Sequence, residues 1–387
     1  MKIKVLIVAA AITLFGFFWS VGPVFAQSSD TFSGKSLCVP GIYSETVSDC
    51  YVMGPSAFLS EMAAKGLTFP QRPVPAYRPD FSLGYADEPY LKVGEHSFPL
   101  YNSLEDALAK IPSTQIAAGM KYFAILERLD LDQGVFYHLV NGQWLNGGEA
   151  DASCCTYSNR LQGLVFEHNP YNSFGWIVDQ TKARVAPGYA SPETDRVLYR
   201  ENVVQVYDVQ AADGVKWYMI GFNEWIERRY IREFNLNLTP PEGVTNGRWI
   251  EVNLYEQTLG VYENGRLVYA TLIASGMDPF FTQPGLFQIY KKYDKTNMSG
   301  AFEADRSDYY FLEDVPWTMY YDDARALHGA YWRTLYGYPQ SHGCVNLSIG
   351  DAKFIYDWAN EGDWVYVWDP SGETPMDAKY YSSGAAF

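Results

Sequence analysis

Along much of this chain apolar and polar residues alternate with a period of two, the pattern of strands rather than of helices. Ile250, Val252 and Leu254 alternate, as do Leu259 and Val261, then Leu267, Tyr269, Thr271 and Ile273. Glu263-Asn264-Gly265 separates the last two runs, and Asn-Gly between alternating runs is the strongest short hairpin signal. An antiparallel β opening is therefore predicted from Arg248 onward. Near the end the period changes. Ala352, Ile355, Tyr356 and Ala359 fall on one helical face. Ser348 with Asp351 three residues later forms a helix-start pair, and Asn360-Glu361-Gly362 stops the helix. Trp364 to Trp368 reads as a final strand, and the tail at 370–387 is expected to be loose.

Upstream, one alternating pattern occurs twice. Val135-Phe136-Tyr137-His138-Leu139 precedes Asn141-Gly142-Gln143-Trp144-Leu145, and Val215 to Ile220 precedes Phe222-Asn223-Glu224-Trp225-Ile226. Tyr137 and Tyr218 are 81 residues apart, as are Trp144 and Trp225. Each copy predicts a strand, a short turn and a second strand, and Asp213-Gly214 predicts a hairpin just before the second copy. The pattern resembles bacterial Src-homology-3-like (SH3-like) modules, small β-barrels here expected at 89–150 and 160–238. The resemblance implies grooves for wall peptide or glycan, whereas burial of Trp144 and Trp225 in spacer cores is the ordinary fate of such aromatics. Residues 27–88, with a helical patch near Pro55–Lys65, read as an N-terminal arm, and 239–247 as a Pro- and Gly-containing linker.

Composition agrees with a mainly β protein of several domains. Aromatics make up 17% of the 387 residues, with 32 Gly and 21 Pro, which favours strands and turns. A formal charge of −16 argues against a nucleic-acid partner, because phosphate binding needs a basic face. Lys2 and Lys4, the apolar run from Val5 towards Val21, and Val24-Phe25-Ala26 read as an export signal over 1–26. The competing reading is an uncleaved membrane anchor. Either way the rest of the protein is expected outside the cytoplasm, secreted or at the cell wall, as a monomer with no stable membrane insertion once the signal is cut. Five cysteines in an exported chain suggest two disulfides among Cys38, Cys50, Cys154 and Cys155, of open connectivity, and leave Cys344 as a thiol.

The neighbours of Cys344 carry the chemistry. Ala326-Leu327-His328-Gly329 is followed by Ser341-His342-Gly343-Cys344-Val345-Asn346, with Ser341 twelve positions after Gly329. His328 is expected to end a strand, and the second motif to form a loop running into the capped helix. A thiol attacks only as thiolate, which a nearby imidazole and a helix N-terminus both favour. Gly343 lets the backbone aim N–H groups at one point, as an oxyanion hole requires. Zinc held by His328, His342 and Cys344 is the competing chemistry.

These residues resemble the catalytic motif of L,D-transpeptidases: a His-Gly element, a dozen or so residues, then Ser-His-Gly-Cys and a polar residue. The likeness covers about 248–369. It implies a β-sandwich or barrel catalytic domain with one C-terminal helix, acting on peptidoglycan stem peptides with no metal or organic cofactor. By resemblance Cys344 is the nucleophile, His328 the base, and the Gly329 carbonyl the group that orients it. His342 would shape the pocket, the Gly343 and Cys344 N–H groups would face the oxyanion, and Ser341 and Asn346 would support substrate. Cross-linking follows if an amine takes the acyl group, and L,D-carboxypeptidase activity if water does. A wall-binding protein that merely keeps the fold is the non-enzymatic alternative. The family's Thr-Pro-x-Gly turn is altered here to Thr282-Gln283-Pro284-Gly285.

Overall fold

A computed structural model describes residues 74–301, 306 and 309–381, with two strand pieces at Ser36–Leu37 and Cys50–Tyr51. The export signal, the helical patch near Pro55–Lys65 and any pairing of Cys38 with Cys50 lie outside the described residues.

The fold is mainly β. The predicted hairpin joins Thr258–Glu263 to Arg266–Leu272. Asn264 and Gly265 at its tip have φ of 52° and 75°, the left-handed pair that a two-residue turn of this hand requires. Arg248–Asn253 pairs antiparallel with Thr258–Glu263 and parallel with the final strand Trp364–Trp368, which in turn pairs with Gly285–Gln288. These strands belong to a seven-stranded sheet. Five of the six residues of Arg248–Asn253 are buried. The reason is that both faces are packed. Ile250 and Val252 meet Leu327, Val345 and Ile355 on one side, while Trp249 meets the cluster that holds Phe174, Trp176 and Phe234 on the other.

The second large sheet has nine strands and runs through an expected domain boundary. Tyr85–Val93, Met120–Leu131, Tyr310–Asp322, Arg325–Gly329 and Val345–Leu347 are consecutive neighbours in it. Met120–Leu131 pairs parallel with Tyr310–Asp322 through Tyr310↔Met120 and Leu312↔Tyr122. The first upstream unit is therefore not a separate module over 89–150. It starts within Tyr85–Val93, extends to Ser153–Ser158, and shares with the segment after Arg248 a core made of Tyr90, Tyr122, Leu312, Val315, Tyr331 and Ile349. Gly119 marks the seam. Its φ is +125°, and a Cβ there would lie 2.1 Å from the Tyr309 carbonyl oxygen. Cys154 and Cys155 pair with each other.

The second upstream unit, expected at 160–238, gives Leu164–Phe166 to the seven-stranded sheet, paired with Arg266–Leu272, and keeps two further sheets of its own. Phe174–Ile177, Val203–Gln205 and Ile231–Phe234 form one, and five strands from Thr181–Arg184 to Glu224–Glu227 form the other. Asp213-Gly214 turns its hairpin as predicted, with both residues at positive φ.

Ile349–Trp358 is the predicted helix. Ser348 caps it, its Oγ accepting from the Asp351 N–H at 3.1 Å. Asp351 also accepts from the N–H groups of Gln162 and Gly163, at 3.1 and 2.9 Å, and from Tyr269 Oη at 2.7 Å. The stretch joining the two upstream units is thus fastened to the helix start. The tail is not loose throughout. Tyr381 is buried, and its carbonyl accepts from Arg325 Nη2 at 3.1 Å.

Candidate active site

Two short parallel strands position the chemistry. Arg325–Gly329 pairs with Val345–Leu347 in the register His328↔Asn346, and every residue of both is buried. Because residues i and i+1 of a strand face opposite ways, Leu327, Val345 and Leu347 enter the sandwich core, while His328 and Asn346 face a cavity of about 270 Å³. Cys344, just before its strand, lines the same cavity with Ser341 and His342. The loop that carries Cys344 is clamped from below. Thr282 Oγ1 accepts from the Gly276 N–H and donates to the Gly343 carbonyl, both at 2.8 Å. Ser275 O accepts from the N–H groups of Gln340 and Ser341. Gly343 has φ +116°, a conformation that favours glycine.

His328 Nδ1 lies 3.2 Å from the Gly329 carbonyl oxygen, and its Nε2 lies 3.1 Å from Asn346 Nδ2. Burial holds the imidazole down at about 4, with the Gly329 carbonyl opposing and the Arg333 cation adding to the depression. His328 is therefore neutral at any pH well above 4. Burial likewise pushes the Cys344 thiol up, against the pull of a backbone group at Ala326 and the Arg325 cation. The thiol faces the Ala324 carbonyl at 3.8 Å. The helix N-terminus does not act on it. The helix begins at Ile349, beyond the strand Val345–Leu347, and a helix-end field fades within a turn. The resting pair is thus thiol and neutral imidazole, not the lowered thiol expected from a helix start.

The other motif residues take definite places. The Gly343 N–H donates to Ser341 Oγ at 3.1 Å, and Ser341 Oγ donates to the Cys344 carbonyl. The Gly343 N–H, one of the expected pair of oxyanion donors, is therefore engaged within the loop itself. Ser341 is buried at the cavity wall, and its hydroxyl braces the loop. His342 is exposed, its ring stacked on Tyr310 at 5.7 Å and near Phe280 at 4.9 Å. Of the aromatics near the motif, Tyr310, Tyr320 and Trp332 line the cavity, whereas Trp317 packs on Tyr356. Among the described residues, no group of three His, Cys, Asp or Glu is placed to hold a metal ion.

Sequence reasoning missed four contributors. Met120 reaches the cavity from the first upstream unit, and no local pattern announces it. Arg325 and Arg333 also line it. Their signal was an arginine set among apolar and aromatic neighbours, Ala326-Leu327 and Tyr331-Trp332. Asn159 braces the site from outside the motif, with Nδ2 donating to Ala330 O at 2.8 Å and Oδ1 accepting from the Ile349 N–H at 2.8 Å.

Comparison with known proteins follows the same boundaries. Residues 247–367 match the L,D-transpeptidase catalytic domain, the YkuD family. Among curated proteins, YciB of Bacillus subtilis (strain 168), named provisionally as an L,D-transpeptidase, is 26% identical over 127 residues. That alignment covers 28% of this chain and 59% of YciB. A crystal structure of an L,D-transpeptidase from Stackebrandtia nassauensis is 29% identical over 34% of this chain and 58% of its own, with a TM-score of 0.26. The catalytic domain of an Enterococcus faecium L,D-transpeptidase is 26% identical over 33% of this chain and all of its own, with a TM-score of 0.29. The chain thus spans just under three fifths of the curated relative. The L,D-transpeptidase match begins after both upstream units, and the cavity-lining Met120 lies outside it.

Proposed function

We propose that the protein is an exported L,D-transpeptidase that acylates Cys344 with a peptidoglycan tetrapeptide stem and passes the acyl group to the side-chain amine of a diamino acid on another stem. The observation that carries this reading is the meeting of Cys344, His328 and His342 on one cavity, inside the segment that matches the family. In the first step Cys344 Sγ attacks the carbonyl carbon of the L,D peptide bond, and its proton passes to His328 Nε2. The Gly329 carbonyl holds Nδ1–H, which leaves Nε2 as the base. Because the thiol is raised and the imidazole depressed, proton transfer accompanies attack instead of preceding it. The Cys344 N–H steadies the developing oxyanion. Collapse breaks the C–N bond, and terminal D-Ala leaves with the proton from His328. In the second step the acceptor amine attacks the thioester, His328 takes its proton, and the thiol is restored. His342, stacked on Tyr310 at the rim, shapes the entry.

The test is intact-protein mass spectrometry after incubation with a tetrapeptide stem or a carbapenem, with Cys344→Ala and a chelator in parallel. A covalent adduct on the wild type alone, indifferent to chelator, is expected. Turnover that chelator abolishes, with no adduct, would overturn the thiol mechanism. Product analysis with and without a diamino-acid acceptor separates cross-linking from hydrolysis.

A further inference from the structure

A chain of polar contacts in the cavity wall has direction, and Arg333 sets it. Arg333 Nε lies 3.3 Å from Asn346 Oδ1, and Asn346 Nδ2 lies 3.1 Å from His328 Nε2. His328 Nδ1 in turn faces the Gly329 carbonyl. A guanidinium only donates, so the Asn346 atom beside it must be the oxygen. The amide NH₂ then faces the imidazole. It also only donates, so Nε2 must present its lone pair and Nδ1 must carry the proton. The carbonyl of Gly329 accepts that proton, and every contact is satisfied in one sense only. Were Asn346 turned over, NH₂ would face guanidinium and oxygen would face Nε2, which would favour the opposite tautomer. Arg333 is itself held, by Gln340, whose Oε1 and carbonyl oxygen accept from Nη1 and Nη2.

We infer that Arg333 is a positioning residue that fixes the tautomer of His328 through Asn346 and keeps the basic nitrogen unprotonated. This rests on the reading of His328 as the base, and gives Asn346 a different part from substrate support. Asn346 occupies the lone pair at rest, so the substrate-bound site must exchange that contact for the Cys344 thiol. Once Nε2 takes the proton, two donors face each other across 3.1 Å, which hastens return of the proton to the leaving group. The titratable and charged groups that share the cavity with His328 are Arg325 on its own strand, Tyr310 and Tyr320 on the neighbouring strand, and Arg333, His342 and Cys344 on the loop. Of these, Arg333 is the cation whose field disfavours the imidazolium.

The experiment pairs a resting-state readout with a kinetic one. The full chain is labelled with ¹⁵N-histidine, and the His328 signal is assigned by its loss in His328→Gln. The wild type is expected in the Nδ1–H form. Arg333→Met is expected to show a mixture of tautomers, and Asn346→Asp, whose carboxylate can only accept, the Nε2–H form. In carbapenem acylation, Arg333→Met should slow the rate about 10- to 100-fold and move the acid limb of the pH profile upward. Arg333→Lys keeps the charge and should restore the limb while recovering the rate only in part. Thermal unfolding of each variant separates loss of fold from loss of positioning. An unchanged tautomer and an unchanged limb in Arg333→Met overturn the inference, even if the rate falls. A wild type that never acylates overturns the proposed function instead, and the tautomer spectrum still decides the role of Arg333.

Discussion

The two copies of the repeated pattern have the same local structure and different attachments. In the first, Gly134–Leu139 pairs with Trp144–Asn146 in the register Tyr137↔Leu145 and His138↔Trp144. In the second, Val215–Gly221 pairs with Glu224–Glu227 in the register Tyr218↔Ile226 and Met219↔Trp225. Each tyrosine enters its unit's main core, and each tryptophan joins a smaller cluster on the other face. The difference lies in the strand before each copy. Met120–Leu131 has 12 residues, and its first half is almost wholly buried. That half pairs with Tyr310–Asp322 and the second half with the repeat. Asp208–Ala212 has five residues, mostly exposed, and pairs only within its own sheet. The first repeat is therefore fed by a strand that backbone hydrogen bonds tie to the segment carrying Cys344. The second unit adds only Leu164–Phe166, far from its repeat, to the sheet of Arg266–Leu272. Its repeat stays within its own sheet, while side chains such as Trp176 and Phe234 pack the rest of the unit down. A repeat fixes how a hairpin folds, while the strand feeding it decides what it becomes part of.

The largest way to break this comparison is at the seam. Gly119→Val places a side chain 2.1 Å from the Tyr309 carbonyl at a φ of +125°, a combined strain of about 3 kcal/mol. The shift falls on Met120 and Tyr310, which both line the cavity. Carbapenem acylation of Cys344 should fall about 100-fold. An acylation rate within twofold of wild type would show that the seam is only scaffolding.

A matched pair of truncations sharpens it. Tyr137→Ala and Tyr218→Ala each remove a buried ring at equivalent positions of the repeat, at a cost of about 3–5 kcal/mol. Loosening of the first unit should reach the shared core of Tyr90, Tyr122 and Tyr331 and slow acylation about tenfold. In the second, hydrogen exchange should rise across Val215–Gly221 and Glu224–Glu227 with acylation unchanged. Equal effects on acylation would remove the distinction between a repeat fed by a shared strand and one fed from its own sheet.

The sequence made local elements readable and left their joining hidden, for a physical reason. The Asn264-Gly265 and Asp213-Gly214 turns, the Ser348 cap and the strand ending at Gly329 depend on contacts within a few residues. The motif around Cys344 was legible because a loop brings its chemistry together by short spacing. Nothing near Met120 says that it will pair with Tyr310, since parallel pairing follows from the tertiary path of the chain. The expected helix effect on Cys344 failed in the same way. Three residues that read as part of a loop, Val345 to Leu347, form a strand that carries the helix start away from the thiol. Arg333 and Asn159 act through the groups they reach across the fold, so composition and period were silent about both.

The smallest expected effect tests whether the seam carries its own pH dependence. Glu313 lies on Tyr310–Asp322, almost fully buried, and its Oε2 accepts from the Ala124 N–H of the first unit at 2.9 Å. Burial pushes its carboxyl up to about 7, from 4.5 in an open chain. The folded protein therefore holds a proton that the unfolded chain releases, so stability falls as pH rises from 4.5 through 7 and levels off above. A donor N–H on one oxygen leaves the other free to carry that proton, and an amide imitates this state. Glu313→Gln should keep the bond to Ala124 and remove the decline, raising stability at pH 8 by on the order of 1–3 kcal/mol with acylation unchanged. Denaturant unfolding at pH 5 and pH 8 measures it. A gain of equal size at both pH values would mean that the glutamate is charged throughout, and that the seam is held by packing and backbone bonds without a titrating contact.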